Sequence, residues 1–302
     1  MAYVPLRRGA GRLFDEILNR MLKELYSMSD IGQAENVVFS TYGDRVSVEQ
    51  KAKSLNKFGL NVAVGTSFET VGEFQGTTAN ETFTSTNSID RVSSDNTTNN
   101  GTVLQIEGHT IDGSGNLTFV VQEATLGTPA TTPVTLTTPL ARATRIFVKA
   151  SGTFNSPQSD VVGNVYVFDN TAATGTTGGE PDVASATKVM LVDNNQSQQC
   201  ATSVSSEDYW FISSIDAGIG SAGGSANRVL VRLEARDVAN GGVWRQLGRD
   251  LTLDVDQNGV QQDESPYLIV PKNHDVRVRA KTDSNTASVF AEVRGVLAKV
   301  LP

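Results

Sequence analysis

Few residues in this chain have types and spacing suited to chemistry. There are two histidines and one cysteine among 302 residues. His109 falls beside the Asp112-Gly113 turn signal and His274 beside Pro271-Lys272-Asn273, far apart in sequence. Each reads as a turn or surface residue rather than a base. Two histidines and one cysteine do not make a zinc site of the usual kind. Cys200 reads as a small buried hydrophobe. No Walker-type phosphate loop and no nucleophile elbow occurs.

One run does hold ligand-type spacing. Asp254, Asp256 and Asn258 alternate before Gly259, with Asp263 and Glu264 following. Alternating oxygen side chains ahead of a glycine are how a short loop wraps calcium. An EF-hand loop places Glu at its twelfth position, where this chain has Ser265, with Glu264 one residue early. The flanks read as strands, not helices. The plainer reading is an acidic turn between strands; the sharper one is a calcium site at Asp254, Asp256, Asn258 and Glu264.

The elements that would position these residues fall into two kinds. After an irregular lead-in, Leu13, Phe14, Ile17, Leu18, Met21, Leu22 and Leu25 recur at spacings of three and four, so they share one helix face. That stripe either packs on its own β-domain or docks on another subunit or on copies of itself. Everything after residue 30 reads as short strands punctuated by Gly, Ser, Thr, Asn and Asp. The expected organisation is an N-terminal arm and amphipathic helix (1–30) and a connector (31–66). A first β-domain (67–168), a linker (169–182) and a jelly-roll-like second β-domain (183–302) follow. The fold class is mainly β, with two sandwiches and a helical arm.

Alternation is clearest in Arg228–Arg236 and in Val276–Ala280. There one face meets the core, and Arg228, Arg232, Arg236, Arg277 and Arg279 share the other, open to water or to a neighbouring subunit. Lys51, Lys53 and Lys57 make the connector locally basic, either as a solvated face or as a contact to an acidic neighbour. Trp210 and Trp244 read as core anchors.

Bulk properties narrow the function classes. A net charge of −8 and a pI near 4.9 argue against nonspecific nucleic-acid binding. A single cysteine excludes an intrachain disulfide framework and fits synthesis in a reducing cytoplasm. The sequence shows neither a signal-peptide pattern nor an apolar run long enough to span a membrane.

Lys57-Phe58-Gly59, Asn61 and Thr66–Val71 resemble the opening of a family of tailed-phage virion structural proteins, common among marine phages. The resemblance continues through Ile106–Gly108, Asp112–Asn116, Thr132–Leu136, Leu140–Val148, Ser151-Gly152 and Gly163–Val165. It covers roughly residues 57–168 and implies a β-sandwich component of a phage particle, made in the host cytoplasm, with no catalytic residue to transfer. The expected function is a non-enzymatic capsid decoration, cement or knob protein that attaches through its arm and helix. Its partners would be other virion subunits, the major capsid protein or portal and tail proteins, and copies of itself. A tail, neck or fibre-adaptor protein is the alternative within that class. A calcium-dependent glycan-binding module is the alternative outside it.

Overall fold

The computed structural model describes residues 53–73, 83–150, 161–170, 176–181, 186–222, 228–239, 242–254 and 260–299. The chain is mainly β. The expected helix, with Leu13, Phe14, Ile17, Leu18, Met21, Leu22 and Leu25, lies outside the described residues, as does Lys51.

In chain order, β1 (Lys53–Val64) and the two-residue β2 (Glu69–Thr70) come first. Next are β3 (Ile89–Ser94), β4 (Val103–Ile111), β5 (Leu117–Thr125), β6 (Val134–Leu140), β7 (Arg142–Ala150) and β8 (Val165–Asp169). A small hairpin, β9 (Thr176–Thr177) and β10 (Glu180–Pro181), precedes β11 (Ala186–Met190). The chain closes with β12 (Ala201–Val204), β13 (Tyr209–Ala222), β14 (Arg228–Asp237), β15 (Arg245–Asp254), β16 (Val260–Val270), β17 (His274–Thr282) and β18 (Ala287–Ala298).

These strands build two sandwiches, with antiparallel pairing throughout. In the first, the sheet β11-β8-β3-β6 faces the sheet β5-β4-β7. Ile89, Val92, Leu104, Ile106, Leu140, Ile146, Val167 and Met190 fill the space between them. In the second, β1-β18-β13-β16 faces β12-β17-β14-β15, over a core that includes Trp210, Ile212, Val231, Leu233, Val278, Val289 and Val293. β12 and β2 lie end to end along the same edge of β17. Inward and outward residues alternate as the pleat requires; β14, for example, buries Val229, Val231 and Leu233 between half-buried Leu230 and Arg232.

The first sandwich is inserted in the second. β1, inside the segment read as a connector, pairs along its length with β18 near the other end of the chain. β11, read with the second domain, pairs with β8, and its Met190 belongs to the first core. Residues 176–181, within the segment read as a linker, form the β9–β10 hairpin across Gly178 and Gly179, both at positive φ (61° and 90°). Two such residues are what a tight type I′ turn needs. Ser93 Oγ donates to Gly179 O at 2.6 Å, fastening the hairpin to β3.

The Asp112–Asn116 turn forms as expected between β4 and β5. Asp112 Oδ1 accepts from the amides of Ser114 and Asn116, both at 2.8 Å.

Candidate functional site: the joint and cleft between the sandwiches

The two sandwiches meet through polar side chains rather than a shared apolar core. Asp275, the second residue of β17, is fully buried. Its carboxylate accepts from Arg142 Nε at 2.8 Å and Arg142 Nη2 at 3.0 Å, a two-pronged grip reaching across from β7. Within its own sandwich it accepts from Ser203 Oγ at 2.6 Å and Arg236 Nε at 3.0 Å. Arg142 Nη1 donates further to the carbonyls of Ala141 and Thr84. Nearby, Asn273 Oδ1 accepts from the Leu117 amide at 2.9 Å, and the Ser206 amide donates to Leu117 O at 2.7 Å. Lys57 Nζ of β1 donates to Thr144 O of β7 at 3.1 Å. Backbone and side chain of both sandwiches are thus tied at several points.

Apart from Arg228, the outward arginines do not stand free in water. Trp244 lies under Arg277, with the guanidinium 3.9 Å from the ring centroid, and under Arg236 at 4.9 Å. Phe83 contacts Trp244 and sits beneath Arg142. Phe68 carries Arg232 at 4.3 Å and Lys281 at 4.9 Å. Arg277 pairs with Glu234 at 2.9 Å and Arg232 with Asp250 at 2.8 Å. Arg228 remains largely exposed, 3.5 Å from Asp254. The sequence pattern locates this face correctly but not its cover, because Phe68 and Phe83 come from distant loops. Trp210 is a core anchor as expected, whereas Trp244 is a stacking platform.

Beside the joint a cleft of about 970 Å³ opens between β1, β12 and β18 on one side and β4, β5 and β7 on the other. Lys57, Glu107, His109, Phe119 and Gln199 are among its walls. Lys57 is buried, not a solvated connector residue. Burial, reinforced by the nearby Lys188 cation, brings its ammonium down to about 8, against the pull of Glu107. Burial also lowers His109 to about 3, so its imidazole is neutral at ordinary pH. The ring meets Phe119 edge-on at 5.3 Å. His109 Nδ1 and Gln199 Oε1 are buried with no hydrogen-bond partner among the described residues. Cys200 is buried as expected, its thiol pushed up to about 12 by desolvation and its Sγ 3.3 Å from Lys57 O. It is therefore a thiol, not a thiolate nucleophile.

His109 and His274 belong to different sandwiches, and His274 Nδ1 contacts Lys272 O at 2.9 Å. Of the calcium candidates, Asp254 ends β15 and pairs with Arg228. Glu264 lies within β16, while Asp256 and Asn258 fall outside the described residues. Among the described residues no group of three or more His, Cys, Asp or Glu side chains is placed to hold a metal. Among the described residues no helix is long and apolar enough to cross a membrane.

No family model and no curated protein matches the chain. Solved structures with weak likeness come from infectious bursal disease virus. A structure of the Gt strain aligns over 89% of this chain and 76% of the other, at 10% identity and a TM-score of 0.22. A Gx-strain structure gives the same coverages at 8% identity and a TM-score of 0.23. A VP2 subviral particle aligns over 93% and 82%, at 8% identity and a TM-score of 0.20.

Proposed function

We propose that this chain is a non-enzymatic structural component of a tailed-phage virion, attached as a capsid decoration, cement or knob protein through its N-terminal arm and helix. The motif resemblance over residues 57–168 supports the class. The observation that carries the reading is the joint at Asp275, which locks an inserted sandwich onto its parent. Such a joint makes one stiff body from two, which suits a part that projects or bridges. Repeated copies on a lattice bind by avidity, so no single contact need be strong.

Copy number in purified particles tests this. One copy for each lattice position supports decoration, and a single ring of copies favours the tail, neck or adaptor alternative. Absence of the chain from purified particles overturns the virion reading.

A further inference from the structure

The sheet β1-β18-β13-β16 has an unusual outer face. In an antiparallel sheet with one face on the core, the other is ordinarily polar. Here the pleat is reversed in β1. Its inward positions include Lys57, Gly59 and Asn61, while Phe58, Leu60 and Val62 point outward. On β18, Leu60 is paired with Phe290, which also points outward. Val62 is 69% exposed and Phe290 42% exposed, and Phe58 and Leu60 are half-buried. Asp216, Glu292 and Arg294 form a charged band beside them. An apolar patch rimmed by charge marks a docking surface.

We infer that this patch is the seat of the chain's own N-terminal helix, with the Leu13, Ile17, Leu18 and Met21 stripe lying on Phe58, Leu60, Val62 and Phe290. Two features name the occupant. The segment before β1 carries the wide apolar stripe, which needs an apolar partner. That segment is also tethered to β1, the strand that forms the patch. Residues 26–52 separate stripe and strand, a length of chain whose ends, were it flexible, would lie about 30 Å apart. From Lys53 to Val62 is also about 30 Å at the rise of a strand. A tether matched to its span gives the highest effective concentration, which favours the chain's own helix over a second copy in dilute solution. The inference describes the free chain and rests on the sheet and the stripe alone; on a particle the helix would exchange this patch for the lattice.

The test is disulfide trapping in the full chain, with Val62→Cys combined in turn with Leu18→Cys or Met21→Cys from the stripe, and with Asn19→Cys or Lys23→Cys from the opposite face. Native Cys200 is buried. Each variant is first checked, reduced, for the wild-type melting temperature. Dilute oxidation should give an intrachain disulfide about tenfold faster at residues 18 and 21 than at 19 and 23. Adding Phe290→Ser should slow trapping at residue 18 without changing the melting of the β body. Equal rates on both faces, or no trapping at any position, overturn the docking. Disulfide-linked dimers in place of closed monomers assign the patch to a second copy and overturn the intrachain seat.

Discussion

Arg142 and Asp275 form a two-pronged ion pair across the boundary between the sandwiches, with both side chains at most 3% exposed. Breaking a buried pair from one side leaves the other charge without its partner and costs about 3–5 kcal/mol. Asp275 also holds Arg236 and Ser203, so its loss unties three groups at once. Asp275→Asn should therefore lower unfolding stability by about 3–5 kcal/mol in urea titrations. Ser203→Ala, which removes one donor to the carboxylate and leaves both arginines in place, should cost less, about 1.5–3 kcal/mol. Equal effects from the two changes would count against the joint as the organising contact.

His109 supplies a pH signature. Its folded value is about 3 against an ordinary 6.5, with burial the main cause and Lys57 and Arg142 adding to it against Asp275. Between those values the unfolded chain takes up a proton that the folded chain refuses, so stability falls as pH drops from 6.5 towards 3. One proton is worth up to about 1.4 kcal/mol per pH unit. His109→Gln should flatten the stability curve over that interval by up to this slope while leaving the curve above pH 7 parallel to wild type. An unchanged acid limb would mean the imidazole titrates freely in the folded chain.

How much of this was legible in the sequence depends on distance along the chain. Alternation placed β14 and β17 and the arginine face they share, because a strand's pleat is a local property. Gly248 in β15 shows the limit of a local pattern, because in sequence it separates the strand-like run Trp244–Leu247 from Leu251–Val255. The structure runs through, with Gly248 at a φ of 69° and the register against β14 slipping between Val231 and Leu233. A glycine that ends a strand and one that bulges it look alike in sequence. β1 carries no apolar inward pattern, because its inward face holds Lys57, Gly59 and Asn61, and the partner that lets Lys57 be buried, Thr144, lies 87 residues away. For the same reason the insertion of one sandwich in the other left no local mark. At the joint, nothing local marks Asp275, since its partner Arg142 lies 133 residues away.

Trp244 is predicted to matter more than its partial exposure implies. It supports Arg277 and Arg236 and packs on Phe83, which in turn lies under Arg142. A cation over an aromatic face contributes about 0.5–2 kcal/mol depending on desolvation. Trp244→Ala should cost about 2 kcal/mol, and Trp244→Phe less than half of that. If Trp244→Ala left thermal stability unchanged, the stack would be ornamental to a face held by Glu234 and Asp250 alone.

Gly59 sets how closely the two sheets of the second sandwich approach. A Cβ at this position would sit 2.3 Å from Val71 O and 2.5 Å from Cys200 N, both backbone atoms that cannot swing aside. The same two groups are hydrogen-bonded to each other at 2.8 Å, so β1 crosses over a backbone contact with no room for a methyl group. Gly65 is the control within the same segment, because its Cβ would meet only the Glu69 carboxylate at 3.0 Å, the movable end of a side chain. Overpacking of a rigid interior costs about 1–3 kcal/mol or more. Gly59→Ala should reach or exceed the upper end of that range, whereas Gly65→Ala should stay under 1 kcal/mol. Because β1 carries both the Lys57 contact to Thr144 and the outward Phe58-Leu60-Val62 row, a displaced β1 should also loosen the cleft. Faster amide exchange at Thr144 and Arg145 in Gly59→Ala, read by mass spectrometry, would register that shift. A variant with wild-type stability and exchange would mean that β1 does not cross as closely as the geometry places it.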